Sequence, residues 1–291
     1  MTAEVPARTV PGLRGPDAQR PESQRPESQR PDSQRRRDGS RSSLVWDILA
    51  EVIAARVART GRPVLDIVDV GAGTGGFAVG IASLGHRVTV VDPSPDALAA
   101  ARWRAAEAGV TLTDVQGEAG DLPAQVGEAS ADLVICHNVL EYVDSPSAAL
   151  SAIARVLRPG GTVSVLAANA VAAVLQRALA GKYAEALAML PAAVPAAPAP
   201  AGSVPATPGT AGRRFTLPEL TALIEGAGLR PGEAHGIRIF SGLLPSAAAD
   251  PAGAEALRAL EEAAATCPPL RDIATRLHIL GSRLPGPTVK S

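Results

Sequence analysis

A glycine-rich segment in the first third of the chain constrains the fold more than any other feature. Residues 68–76 read VDVGAGTGG and join a predicted strand over 64–70 to a predicted helix over 75–84. Glycines at such a turn let the backbone approach a ligand closely and adopt dihedral angles that a Cβ atom disfavours. A strand, a glycine turn and a helix in this order are typical of α/β folds that bind ligands at the carboxyl ends of parallel strands.

Strand and helix patterns alternate on both sides of this turn. Residues 170–190 are predicted to form one or two further helices. The other strands are predicted near 87–91, 111–115, 131–136, 162–167, 234–240 and 275–283, and the other helices near 44–60, 95–108, 146–157, 217–227 and 253–265. Alternating elements with short turns predict an α/β, Rossmann-like fold with a seven-stranded, mostly parallel sheet and helices on both faces.

Two segments differ in composition from the domain that we predict over 42–285. Residues 1–41 contain a pentapeptide repeat with proline at every fifth position, so we predict a disordered tail there. Residues 191–212 carry no charge and contain six prolines, which predicts an extended linker or loop inside the domain. Residues 286–291 form a short C-terminal tail.

Charge and composition exclude several classes of protein. The first 43 residues carry nine arginines and six acidic residues, a net charge of +3, whereas the remaining 248 residues carry 19 basic and 23 acidic side chains, a net charge of −4. A body with that charge and only seven aromatic rings is poorly suited to non-specific nucleic-acid binding. Two distant cysteines, Cys136 and Cys267, exclude a disulfide scaffold and a cysteine-based zinc site, and we expect no metal.

Two further patterns bear on location. The sequence has no apolar run of 18 or more residues, and its N-terminus has no apolar core typical of a signal peptide. We therefore expect a cytoplasmic protein without a membrane-spanning segment.

The glycine turn is compatible with two cofactors. Gly71, Gly73 and Gly76 fit the G-x-G-x-x-G pattern of NAD(P)-dependent oxidoreductases, but the same segment also fits a site for S-adenosylmethionine. Asp92, at the end of the second predicted strand, is expected to bind ribose hydroxyls in either case. The turn by itself therefore leaves both cofactors open.

Three residues favour S-adenosylmethionine. Asp69 precedes the first glycine by two positions, where a carboxylate can face the amino-acid end of a zwitterionic ligand and would repel a pyrophosphate. Gly75 supplies the third glycine of a G-x-G-x-G turn. Asp121 follows the third predicted strand, where the adenine amino group needs an acceptor.

These residues, together with the LRPGG sequence at 157–161, resemble the class I S-adenosylmethionine-dependent methyltransferases. The sequences at 41–46, 137–143, 169–170 and 236–240 further resemble the bacterial tRNA 5-carboxymethoxyuridine methyltransferase group, over roughly 41–285. The resemblance implies a seven-stranded sheet whose last strand is antiparallel. It also implies cofactor binding by Arg41, Gly71, Ala72, Asp92, Ala119, Gly120 and His137.

The same resemblance implies methyl transfer to a carboxylate-type oxygen, on a tRNA wobble uridine. Tyr142 is a candidate for the border of the substrate pocket, and Arg238 is a candidate partner for an anionic substrate. No residue is identified as catalytic. The group carries a lysine-rich stretch where this chain has its uncharged linker, followed only by Arg213 and Arg214, so a small-molecule acceptor stays open. A cofactor-binding module without turnover and an NAD(P)-dependent oxidoreductase also stay open.

Overall fold

The computed structural model describes residues 44–190, 212–243 and 251–284. The predicted tail over 1–41 with Arg41, nearly all of the predicted linker and the segment 286–291 lie outside the described residues. Within the described part, the strands are β1 (Asp66–Val70), β2 (Arg87–Asp92), β3 (Thr113–Gln116), β4 (Ala131–His137), β5 (Leu157–Ala168), β6 (Arg230–Ile237) and β7 (Arg276–Ser282).

Helices connect and cover these strands. They are α1 (Leu44–Thr60), α2 (Gly76–Ser83), α3 (Pro95–Glu107), α4 (Leu122–Val126), α5 (Pro146–Val156), α6 (Ala170–Leu179), α7 (Tyr183–Ala188), α8 (Leu217–Gly226), α9 (Pro251–Ala264) and α10 (Pro268–Arg271), with a 3-10 turn at Ala119–Asp121. Several begin as their sequences predict, since Ser94 and Ser145 cap α3 and α5, each followed by a proline at the first helical position. In the described residues, no helix combines the length and the apolar character that crossing a membrane requires.

The seven strands of the described residues form one sheet in the order β3-β2-β1-β4-β5-β7-β6. Strands β1 to β5 run parallel, and β7 runs antiparallel to both of its neighbours, β5 and β6. The predicted mostly parallel sheet with an antiparallel last strand is therefore confirmed. The strand order reverses between β1 and β4, which opens a crevice at the carboxyl ends of these strands.

The sheet separates two aliphatic clusters. In β4, Leu133 and Ile135 point into the cluster formed with α1 and α2, whereas Val134 and Cys136 point into the cluster formed with α5 and α8. This two-residue alternation is the geometry of a strand that is covered on both faces. The predicted placement of helices on both faces is thus confirmed, and the core is aliphatic, as the seven aromatic rings require.

The LRPGG segment lies at the amino-terminal end of β5, on the side of the sheet opposite to the crevice. β5 begins at Leu157 and includes this segment, although the sequence predicts a strand that begins only after it. Arg158 donates to Asp132 Oδ2 at 2.7 Å, and Arg56 of α1 donates to Gly160 O at 2.9 Å and to Asp132 Oδ1 at 3.0 Å. These contacts join α1, β4 and β5, so the segment stabilises the fold at a distance from the crevice.

Strand β6 differs from its prediction. It spans 230–237 and not 234–240, although Pro231 lies near its beginning. A proline is tolerated there because β6 is an edge strand, in which one row of backbone N–H groups has no ladder partner. The strand ends where Arg238 adopts a positive φ of 58°, and the next three N–H groups bind the carboxylate of Glu261 instead of a strand.

Candidate cofactor site

A cavity of about 340 Å³ lies in the crevice at the carboxyl ends of β1, β2 and β4. We call it the cofactor cavity. Its described lining consists of residues that follow β1, β2, β3 and β4, which is where parallel sheets bind ligands. The lining residues are Val70, Gly71, Asp92, Pro93, Gly117, Glu118, Ala119, Asn138, Val139, Tyr142, Val143 and Asp144.

The glycine turn has the left-handed geometry that its sequence predicts. Gly71, Gly73 and Gly75 adopt φ angles of 63°, 52° and 73°. A Cβ atom on Gly71 would lie 2.5 Å from Cγ2 of Val139, so this position has no room for a side chain. The N–H of Gly71 donates to Val91 O at 2.7 Å, and that of Gly75 donates to Ala72 O at 2.9 Å. The turn thus brings bare backbone to the wall of the cavity.

Asp92 is buried and held in one orientation. Its Oδ2 accepts a hydrogen bond from the N–H of Gly73 at 3.0 Å, and its Oδ1 accepts one from the N–H of Ser94 at 2.9 Å. Each carboxylate oxygen has further acceptor capacity beyond these bonds. A fixed carboxylate in the cavity lining suits the binding of a ribose diol, as predicted.

Asp69 lies beneath the turn and does not line the cofactor cavity. Burial raises the pKa of its carboxyl to about 7; the N–H of Ala78 opposes this rise, and the nearby Asp92 adds to it. Asp69 thus contacts the backbone of α2 through the N–H of Ala78. Its predicted role toward the amino-acid end of the cofactor stays a prediction.

The segment after β3 places a different acidic residue at the cavity. Glu118 and Ala119 line it, whereas Gly120 and Asp121 are exposed and are not among the lining residues. Glu118 continues the extended backbone of β3, with φ −104° and ψ 158°, before the 3-10 turn begins. The structure therefore offers Glu118, and not the predicted Asp121, as the acidic residue of this segment at the cavity.

His137 belongs to a buried polar cluster. Its Nε2 lies 2.8 Å from Ser164 Oγ, and the same oxygen lies 2.8 Å from Nε2 of His278. Phe77 packs edge-on against the His137 ring, with the ring centroids 5.0 Å apart. Burial lowers the pKa of His137 to about 3, so the ring is neutral at physiological pH. His137 is not among the lining residues of the cofactor cavity, and its predicted cofactor contact stays a prediction.

The two predicted substrate residues lie in different cavities. Tyr142 lines the cofactor cavity and is largely exposed, which fits the border of a substrate pocket. Arg238 lines a second cavity, at the ends of β5 and β6. Ala72, Gly73 and Gly75 belong to the glycine turn but are not among the lining residues, and Arg41 lies outside the described residues.

Several lining residues were not singled out as site residues from the sequence, among them Glu118, Asn138 and Val139. Asn138 adopts a positive φ of 57°, which is uncommon for a residue other than glycine and directs the chain away from the end of β4. The signal that could have found Asn138 and Val139 was the sequence after β4, from which only His137 and Tyr142 were taken as site residues. Val139 packs over Gly71 and so accounts for the missing side chain there.

The fold of the described residues is Rossmann-like, with a seven-stranded, mostly parallel sheet. Residues 68–165 match the family described as "Methyltransferase domain". A solved S-adenosylmethionine-dependent methyltransferase from Mesorhizobium loti has a similar fold, with a TM-score of 0.53, 18% identity, and coverage of 83% of this chain and 99% of that one. The family and the fold indicate S-adenosylmethionine as the cofactor.

Two curated relatives are similar over about half of the chain. The tRNA 5-carboxymethoxyuridine methyltransferase of Escherichia coli (strain K12) is 31% identical over 145 residues, 49% of this chain and 54% of the relative. The ubiquinone biosynthesis O-methyltransferase of Xanthomonas campestris pv. campestris (strain B100) is 36% identical over 131 residues, 45% of this chain and 53% of the relative. The chain thus spans about half the length of the curated relatives that it matches.

Proposed function

We propose that the protein transfers a methyl group from S-adenosylmethionine to an oxygen atom of a carboxylate-type acceptor. The observation that carries the proposal is the cofactor cavity, in which the bare backbone of Gly71 faces the ends of β2 and β4. A relative that is named an O-methyltransferase supports oxygen as the acceptor atom.

The residues of the cavity suit binding and alignment. When bound, S-adenosylmethionine supplies a methyl group on a positively charged sulfur, which is already activated for transfer. Asp92 binds the ribose hydroxyls, Gly71 lets the ligand approach the backbone, and Tyr142 borders the entry of the acceptor. A carboxylate is a nucleophile at pH 7, so these residues have to align the reacting atoms and need not remove a proton. Alignment of this kind contributes about 7–11 kcal/mol in well-oriented systems.

Two acceptors are consistent with the relatives. The Escherichia coli relative, by its name, acts on 5-carboxymethoxyuridine in tRNA, and we propose a modified wobble uridine as the first acceptor to test. The Xanthomonas relative is named for ubiquinone biosynthesis and supports a small-molecule acceptor as the alternative.

Transfer of an isotope-labelled methyl group tests the proposal. The purified chain is incubated with labelled S-adenosylmethionine and either bulk tRNA from a deletion strain or the small-molecule fraction of the same cells. We expect label in one of the two fractions, in a product that mild alkali hydrolyses, as it does a methyl ester. Mass spectrometry of the nucleosides and metabolites then identifies the acceptor.

Two glycine variants provide a matched comparison. Gly71→Ala and Gly85→Ala both place a Cβ at a positive φ, but only the first meets a neighbouring atom, Cγ2 of Val139 at 2.5 Å. We expect transfer to fall at least about tenfold in Gly71→Ala and to be retained in Gly85→Ala. Label in neither fraction, with the cofactor bound, would contradict the proposal and favour a binding module without turnover.

A further inference from the structure

The second cavity, of about 240 Å³, contains three arginines. Arg214, Arg238 and Arg276 line it together with Asn169, Gln176 and Thr275, and no acidic residue is among its described lining. We call it the three-arginine cavity. The three arginines come from three separate segments, which meet beside the carboxyl end of β5.

The three-arginine cavity adjoins the cofactor cavity. Arg276, the first residue of β7, donates a hydrogen bond from Nη1 to Asn138 Oδ1. Asn138 lines the cofactor cavity and Arg276 lines the three-arginine cavity, so a single hydrogen bond connects the linings of the two. The two cavities are therefore neighbours, separated by the contact between Asn138 and Arg276.

Two of the three positive charges are not neutralised within the described residues. Arg276 pairs with Glu141 at 3.3 Å, but the same carboxylate oxygen also accepts the N–H of Ala168 at 2.8 Å. The side chains of Arg214 and Arg238 make no hydrogen bond or ion pair to any residue that the structure describes. Arginines that share a cavity without acidic partners provide the donors that carboxylates and phosphates need.

Arg238 is held in place by its backbone. Its φ of 58° is a strained conformation for a residue other than glycine. The carbonyl oxygen of Arg238 accepts bonds from the N–H and the hydroxyl of Thr275, at 3.3 Å and 3.1 Å. The carboxylate of Glu261 accepts the N–H groups of residues 239–241 at 2.7–3.1 Å. The backbone at this arginine is therefore fixed, whereas its side chain is exposed.

We propose that the three-arginine cavity binds an anionic group of the methyl acceptor, a carboxylate or a phosphate. The inference rests on the proposed function, because it takes the ligand that reaches both cavities to be the acceptor. Arg238 and Arg214 bind this group, and Arg276 orients it toward Asn138 and the cofactor cavity. The site would select acceptors that carry a negative charge.

Anion titrations of the full chain test the site directly. Acetate and inorganic phosphate are added separately at constant ionic strength, with and without S-adenosylhomocysteine, while the arginine Nε–Hε resonances are followed by NMR. We expect a saturable shift of the Arg214, Arg238 and Arg276 signals. The anion that binds more tightly distinguishes a carboxylate ligand from a phosphate ligand.

Substitutions on the same strand provide the comparison. Arg238→Gln should weaken anion binding at least about tenfold, which corresponds to about 1.4 kcal/mol. Arg230→Gln removes an exposed arginine from the far end of β6 and should leave the affinity within about twofold. Absence of a saturable shift with both anions, or equal weakening in the two variants, would overturn the inference. If S-adenosylhomocysteine binds normally in the same samples, only the inference about the three-arginine cavity fails. If S-adenosylhomocysteine does not bind, the result counts against the proposed function.

Discussion

Two buried aspartates on adjacent strands differ in what their surroundings provide. Asp92 accepts a backbone N–H on each carboxylate oxygen and lies at the wall of the cofactor cavity. Asp69 is buried below the glycine turn, and burial raises the pKa of its carboxyl to about 7. Asp92 is therefore the aspartate that is both fixed by backbone donors and part of the cavity wall, and its binding of a ribose diol belongs to the proposed function.

A group of histidines forms another buried polar feature of the core. Three of the four histidines in the sequence, His137, His235 and His278, lie together, and burial lowers the pKa of each. The hydroxyl of Ser164 lies 2.8 Å from Nε2 of both His137 and His278, and a hydroxyl can donate to one ring while it accepts from the other. Protonating His137 or His278 would place a charge in the core, whereas His235 lies 3.6 Å from the carboxylate of Glu233.

The cluster predicts acid sensitivity. The ordinary pKa of 6.5 for histidine falls to about 3 for His137 in the folded chain, so the unfolded chain takes up a proton first as the pH falls. His137 therefore stabilises the fold fully above about pH 6.5 and loses that contribution toward pH 3. Between about pH 7.5 and about pH 5 this loss amounts to about 2 kcal/mol of unfolding free energy.

Urea denaturation of the wild type and of His137→Gln at these two pH values measures the difference. The raised pKa of Asp69 has the opposite effect on stability, because the folded chain keeps a proton on this carboxyl that the unfolded chain has lost. Asp69 is present in both proteins, so its effect cancels in the comparison. We expect stability to fall less on acidification in the variant. The same pH dependence in both proteins would contradict the assigned role of His137.

Some site residues could be predicted from the sequence because they are local to one turn. Gly71 and Asp92 follow two adjacent parallel strands, and the glycine spacing alone indicates a ligand there. Glu118 could not be distinguished from Asp121, because the choice depends on where the extended chain gives way to the 3-10 turn. The three-arginine cavity could not be predicted, because its arginines lie far apart in sequence and meet only through the pairing of β5, β7 and β6.

At the level of elements, α8 has the most complete cap. Thr216 Oγ1 accepts the N–H of Glu219 at 3.4 Å, and the Glu219 carboxylate accepts the N–H of Thr216 at 2.7 Å. Both bonds satisfy backbone donors that the first turn of a helix otherwise leaves unpaired. The helix packs Leu220 and Ile224 into the core against β7, so the cap fixes the position of that sheet edge.

Removing the cap should lower stability without changing the fold. Thr216→Ala is expected to cost about 1 kcal/mol of unfolding free energy, because the N–H of Glu219 loses its acceptor. Thr221→Ala removes a hydroxyl that bonds Leu217 O within the same helix and should change stability by less than about 0.5 kcal/mol. Chemical denaturation monitored by circular dichroism provides both values. An equal loss in the two variants would show that the cap contributes nothing specific.

The elements were predictable to different degrees. The helix starts at Ser94 and Thr216 were readable from the sequence because capping is a local interaction. The end of β6 could not be predicted from the sequence. It depends on Glu261, whose carboxylate accepts hydrogen bonds from the N–H groups that would otherwise extend the strand. The burial of β4 on both faces agrees with the apolar run at its centre, residues 133–136.

At the scale of the whole molecule, the amino-terminal and the carboxyl-terminal ends of the parallel strands have different roles. At the amino-terminal ends, Asp132 and its arginine partners join α1 to β4 and β5. At the carboxyl-terminal ends, β1, β2 and β4 border the cofactor cavity, and the end of β5 borders the three-arginine cavity. The fold thus places a cavity lined by three arginines next to the cofactor cavity, which is the arrangement on which the proposed binding of an anionic acceptor rests.

Calorimetric titration with S-adenosylhomocysteine tests the central claim most directly. The wild type should bind one equivalent, and Asp92→Asn should bind at least about tenfold more weakly, since hydrogen bonds to a charged group contribute about 1.5–3 kcal/mol. Glu107→Gln, which removes an exposed carboxylate from the end of α3, should bind as the wild type does. No binding by the wild type, or equal affinities of the wild type and Asp92→Asn, would contradict the assignment of this cavity to S-adenosylmethionine.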